Sequence, residues 1–252
     1  MSKIFQPLDP KAKLWRYLNT DPKRDHGIDK FKSLLETQAL YMSKASGLPD
    51  TNEVRLPECL RAYRESWLKL HTGKYDEQQW NEIDEETRNS IYVNCWNSND
   101  FELIRMWDEY CGSNEGILVR TTFGALDEAC SNVGAQKYFI GKVQYAERDC
   151  LYYPLSNVYY SAMHKEGSKF GWENEVRIAI SSNPQLDHEE LPLKIEEVID
   201  AIYVHPLASV TYFDSVATLI QKSVPTALDR LSWSHLLGHV SVQDFVISNP
   251  SM

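Results

Sequence analysis

Hydrophobic and polar positions alternate along this chain with two periods, and short apolar runs broken by turn residues separate the stretches of helical spacing. Leu14-Trp15-Arg16-Tyr17-Leu18 is a strand-like run closed by Asn19, Asp21 and Pro22. Ile28, Phe31, Leu34 and Leu35 then recur at helical spacing and predict an amphipathic helix. A second strand follows at Ala39-Leu40-Tyr41-Met42-Ser43. From Thr51 to Asn89 the chain turns polar and helix-like, with Leu60, Tyr63, Trp67 and Leu70 marking one face and an acidic, weakly periodic stretch from Asp76 to Arg88. It reads as a helical insertion at about 51–89, a surface helix or cap within one domain.

The second half continues the mixture. Ser90 to Trp96 has the look of a buried strand, and a helix is expected with Phe101, Ile104, Trp107 and Cys111 along one stripe, ended by Gly112. Strands are expected at Gly116–Thr121, Tyr138–Tyr145, Ala201–Val204 and near Val242–Ile247. Helices are expected at Phe123–Cys130, Tyr152–His164 and over the stretch carrying Val210, Phe213, Val216 and Ile220. The pattern predicts one α+β domain over residues 1–252, with a central mixed, largely antiparallel sheet flanked by helices.

The densest chemistry lies in Trp172-Glu173-Asn174-Glu175-Val176-Arg177. Read as a strand, it puts Trp172, Asn174, Val176, Ile178 and Ile180 on one face and Glu173, Glu175 and Arg177 on the other. Two carboxylates about 7 Å apart can hold a substrate hydroxyl or a metal, and an arginine beside them can set their charge or grip an anion. The plainer reading is a charged outer face, with Glu175 and Arg177 paired at the surface.

Composition narrows the setting. The chain has 252 residues, a formal net charge of −10 and a pI near 5.2. Its basic residues are scattered, so extended nucleic-acid or anionic-membrane binding is disfavoured. No run reaches the roughly 20 apolar residues that span a bilayer. The cysteines, Cys59, Cys95, Cys111, Cys130 and Cys150, are odd in number and lack metal-ligand spacing, which predicts reduced thiols and a cytoplasmic protein.

Several segments together resemble the bacterial domain-of-unknown-function 2971 family. They are Leu14-Trp15-Arg16-Tyr17, Leu40 to Ala45, Val93 to Asn97, Met106 to Tyr110, Gly116 to Val119, Phe170 to Arg177 and Ile202 to Pro206. Where that family often carries an Asp-Pro-Phe-Glu-like turn, this chain reads Gly47-Leu48-Pro49-Asp50-Thr51-Asn52-Glu53. The order of Arg16, then Ser43-Lys44-Ala45-Ser46, then Glu173-Asn174-Glu175 is also similar to the arginine, serine and glutamate-x-glutamate series of NAD-dependent ADP-ribosyltransferases. That resemblance implies NAD as co-substrate, no metal, and a bacterial defence or toxin-type effector acting on an unidentified acceptor. Arg16 would grip NAD phosphate or ribose, Ser43 would brace the pocket, and Tyr17 or Tyr41 would stack on nicotinamide. Glu175 would stabilise the oxocarbenium-like charge, with Glu173 orienting or deprotonating the acceptor and Arg177 beside them. The three anchor residues should then converge on one cleft.

Two other readings stand beside it. Glu173 and Glu175 could hold Mg²⁺ in a nuclease, with Lys165, Lys169 or Arg177 facing phosphate. Alternatively the domain is a non-catalytic ligand-sensing or partner-binding module, using a cleft among Trp96, Trp107, Tyr110, Tyr152, Tyr153, Tyr159, Tyr160 and Trp172. His235 and His239 have the spacing of a helical zinc pair, but Gly238 and the missing third ligand make two ordinary histidines the plainer account.

Overall fold

A computed structural model of the chain describes residues 3–19, 28–50, 52, 54, 62, 66, 77–111, 114–132, 138–146 and 159–236. Most of the 51–76 stretch, 147–158 and the expected strand near 242–247 lie outside the described residues, as does His239.

The strands are β1 (Lys3–Phe5), β2 (Lys13–Asn19), β3 (Ala39–Lys44), β4 (Ile91–Asn97), β5 (Gly116–Thr122), β6 (Tyr138–Lys142), β7 (Gln144–Ala146), β8 (His164–Glu166), β9 (Glu175–Ser181), β10 (His188–Pro192), β11 (Ala201–Val204) and β12 (Leu231–Trp233). The longer helices are α1 (Asp29–Thr37), α2 (Glu77–Ser90), α3 (Phe123–Asn132) and α4 (Val210–Ser223). Ten strands make one sheet in the order β1-β6-β9-β4-β2-β5-β11-β12, with β3 also on β4 and β10 on β3. Pairing is antiparallel except at β1–β6 and β11–β12. The expected class, a mixed and mostly antiparallel sheet flanked by helices, is what the chain adopts.

The sheet forks at β4. One edge of β4 pairs throughout with β9, from Ile91↔Ser181 to Asn97↔Glu175. Its other edge is shared: β3 takes Tyr92 and Val93, and β2 takes Asn97. Between these contacts β2 and β3 part, and the Asn94 side-chain amide spans part of the gap by donating to the Tyr41 carbonyl at 2.9 Å.

Alternation then sorts side chains onto two faces. One carries Leu14, Leu18, Met42, Tyr92, Trp96, Val176, Ile178 and Ile180, covered by Phe31, Leu34 and Leu35 of α1, Leu126 of α3 and Val216 of α4. Fully burying each aliphatic side chain contributes about 1.5–3 kcal/mol, and this face is the main core. The Ser209 hydroxyl accepts from Tyr212 N at 3.1 Å and so caps α4. The opposite face holds two smaller apolar clusters, one around Trp15, Tyr17, Trp107 and Tyr203, the other around Val93, Phe139, Met163 and Ala179.

Several expected elements are altered. The Tyr138–Tyr145 strand breaks at Val143 into β6 and β7, because Val143 N donates to Glu175 O and Gln144 N to Met163 O. His164 starts β8 instead of ending a helix. The expected helix at 101–111 becomes a short turn, Ile104–Met106, followed by a π-helical turn at Trp107–Cys111. Met106, Trp107 and Cys111 are buried, the last two as the stripe predicts, and Phe101 and Ile104 are exposed. In α4 the buried stripe is Tyr212, Val216 and Ile220, with Val210 outside. No helix among the described residues is long and apolar enough to cross a membrane.

A buried ion cluster as the candidate functional site

The strand expected from Trp172 begins later. Gly171–Glu173 is a 3-10 turn, and Asn174 adopts a left-handed conformation with φ of 46°, which asparagine tolerates better than most residues. This turn is fastened to the end of β4. The Asn97 side-chain amide donates to Glu173 O, Ser98 N and Oγ both donate to Asn174 O, and Asn174 Nδ2 donates to Ser98 O. The polar run Asn97-Ser98-Asn99 is therefore what aims Glu173, and β9 starts at Glu175.

Glu173 still reaches the cluster expected for it, along another route. Lys165 of β8 lies between the carboxylates, 2.6 Å from Glu173 Oε2 and 3.3 Å from Glu175 Oε2. Arg177 clamps Glu175 with two parallel bonds, Nε to Oε1 at 2.8 Å and Nη2 to Oε2 at 3.1 Å, while its Nη1 donates to Ala162 O at 2.8 Å. The Tyr110 hydroxyl, brought in by the π-helical turn, donates to Glu173 Oε1 at 2.8 Å. Glu175 N donates to the Tyr145 hydroxyl at 2.9 Å. Cys95, opposite Arg177, adds its thiol to Glu175.

Two carboxylates and two cations thus cancel formally in a site where Arg177 is 1% exposed and each glutamate 5%. The expected charged outer face is a buried one, lying between the two smaller apolar clusters. Burial alone would push the Glu175 carboxyl up, but Arg177 and Lys165 outweigh it and hold it at about 2. Burial pushes the Cys95 thiol and the Tyr110 and Tyr145 hydroxyls up, and the nearby glutamates push each further. All three groups therefore keep their protons at neutral pH. Lys165 also occupies the place between the carboxylates where a bridging divalent cation would have to sit.

The anchors proposed to meet Glu175 do not converge on it. Trp15 pairs with Asn97 and Asn97 with Glu175, so Trp15 shares the Glu175 face and Arg16 projects to the other. There its guanidinium lies over Trp96, 6.0 Å from the ring centroid. Ser43 is on the Glu175 face, but its register through Val93 to Ala179 leaves it four residues away, about 14 Å along the strand. Tyr17 is buried against Trp107, ring centroids 5.1 Å apart, and its hydroxyl accepts from Leu103 N at 3.1 Å. Tyr41 stacks on His188 at the exposed β3–β10 wing. Lys169 pairs with Glu166 at the surface.

Tyr145 and Cys95 are members of the cluster that sequence reasoning misses, while it reads Tyr110 only as a cleft aromatic and Lys165 only as a phosphate contact. The β7–β8 pairing of Tyr145 with Lys165 is a long-range fact with no local signature. No known family profile matches the chain, and neither a curated protein nor a solved structure matches it.

Proposed function

We propose that this chain is a ligand-sensing or partner-binding module in which the Glu173–Glu175–Lys165–Arg177 cluster is scaffold and not catalyst. The carrying observation is the engagement of Glu175. Its carboxylate accepts two bonds from Arg177, faces Lys165 and takes the Cys95 thiol, which leaves little acceptor capacity for a substrate hydroxyl. A group stabilising an oxocarbenium ion must direct uncompensated negative charge at the reacting atom. Here that charge is already neutralised from two sides.

One observation favours a second reading, an NAD-consuming transferase of the ADP-ribosylating kind. Glu173 receives a single bond on each oxygen, and its partner Tyr110 is 39% exposed. In that reading Glu173 leads, and Arg16 and Ser43 have no part. Nicotinamide release from NAD by the purified protein distinguishes the two. The scaffold reading expects none, from wild type or from Glu173→Gln. Turnover by wild type that Glu173→Gln abolishes, with folding intact, would establish the transferase instead.

A further inference from the structure

Three buried polar atoms lie at the fork of the sheet with no partner among the described residues. They are Arg16 Nη1, Trp96 Nε1 and Asn94 Oδ1. Asn94 and Trp96 are only 1% and 2% exposed. Buried polar groups are overwhelmingly hydrogen-bonded, because leaving one unmade costs about 1–3 kcal/mol, so three at one place call for an explanation. They also share a face. Asn94 and Trp96 are two apart on β4, about 7 Å, and the Trp15↔Asn97 pair puts Arg16 beside Trp96. The surroundings are apolar: Leu14, Leu18, Met42 and Phe31 line the same core.

The charge is as unusual as the bonding. No carboxylate among the described residues pairs with Arg16. Burial lowers it to about 10, so it still carries its positive charge at neutral pH. By contrast, Arg177, Arg120 and Lys165 each face an acid. The Arg16 residue as a whole is only partly buried, while Nη1 itself is fully covered.

The geometry points to a phosphate-binding site at this fork, for a phosphate monoester or free phosphate in a form that retains a proton. This inference rests on the ligand-binding reading above and names its site, on the sheet face away from the glutamates. The orientation of the Asn94 amide is fixed, since its Nδ2 must donate to Tyr41 O, and Oδ1 is left as an acceptor. The site therefore offers two donors, one of them charged, and one acceptor. A carboxylate or a sulfate has only acceptors to give and would face Asn94 Oδ1 unmatched. A protonated phosphate has oxygens for Arg16 and Trp96 and an O–H for Asn94. The diphosphate bridge of a dinucleotide is fully ionised and lacks that proton.

Calorimetric titration of the full chain with inorganic phosphate and with ribose 5-phosphate, and with sodium sulfate as the unprotonated control, tests the site. Both phosphates should bind, ribose 5-phosphate more tightly if the ester is the natural ligand and phosphate equally if the group alone is read. Sulfate should bind at least about tenfold more weakly, because one buried acceptor stays unpaired. Arg16→Met should lower phosphate affinity at least about tenfold, the loss of one charge-assisted bond. Arg16→Met also removes an uncompensated buried charge, so its melting temperature without ligand should rise and should no longer respond to phosphate. Equal binding by wild type and Arg16→Met, sulfate binding as tight as phosphate, or no binding of either phosphate would each overturn the site. Absent phosphate binding with no NAD turnover refutes the site alone, whereas NAD turnover alongside phosphate binding refutes the module reading alone.

Discussion

Replacing Glu175 with glutamine is the sharpest perturbation of the ion cluster. The substitution keeps the shape and removes the charge that Arg177 meets at 2.8 and 3.1 Å and Lys165 at 3.3 Å. Arg177 is 1% exposed and keeps its bond to Ala162 O, but in this apolar setting its charge loses the carboxylate that balanced it. Breaking one side of a buried pair costs about 3–5 kcal/mol, whereas exchanging both partners for apolar residues is often near neutral. The depressed Glu175 carboxyl gives an independent figure. A fall from 4.5 to about 2 corresponds to roughly 3 kcal/mol of preference for the ionised form in the folded chain. Urea denaturation followed by tryptophan fluorescence should show Glu175→Gln destabilised by about 3 kcal/mol or more, and Glu175→Leu combined with Arg177→Met recovering most of that loss. A single-mutant loss under about 1 kcal/mol, or a double mutant no better than the single, would refute the scaffold assignment.

Other expectations follow from neighbouring groups. Because the Glu175 carboxyl is depressed in the folded state, its contribution is complete above pH 4.5 and should drain away as pH falls towards 2, visible as a falling urea midpoint in wild type and a flatter profile in Glu175→Gln. Tyr110→Phe removes one bond to Glu173 and should cost about 0.5–1.5 kcal/mol by the same assay; a larger loss would mean the π-helical turn depends on that hydroxyl. Gly116→Ala should destabilise by about 1–3 kcal/mol, since the added methyl would lie 2.6 Å from Cys111 Sγ and 2.7 Å from its Cβ, and Cys111→Ala in the same chain should restore little because the Cβ remains.

The elements readable in the sequence were those whose signal is local. β2, β3, β5 and β11 follow short apolar runs, and α1 buries Phe31, Leu34 and Leu35 as their spacing predicts. The placement of Val176, Ile178 and Ile180 on an apolar face also follows from alternation alone. What was not legible depended on pairing between distant segments. Alternation says that Arg16 and Tyr17 oppose each other, but only the β2–β4–β9 register says which of them shares a face with Glu175. The start of β9 was misplaced because Asn174 was counted as a strand residue, when the Asn97-Ser98-Asn99 run holds it in a turn. Of the stripe expected at 101–111 on the 3.6 period, Trp107 and Cys111 are buried, whereas Phe101 and Ile104, which precede or lie outside the π-helical turn, are exposed and Met106 is buried in their stead.

A titration of ¹⁵N-labelled protein with ribose 5-phosphate, read at the tryptophan indole N–H signals, tests most directly where the ligand binds. The indoles of Trp15, Trp107 and Trp172 already donate to Asn99 O, Glu102 and Lys169 O, whereas that of Trp96 has no acceptor among the described residues. The account predicts that the Trp96 signal, assigned by its loss in Trp96→Phe, moves downfield as it gains an acceptor, while Trp172 beside the glutamates stays in place. Movement of Trp172 with Trp96 unchanged would put the ligand on the Glu173–Glu175 face and contradict it.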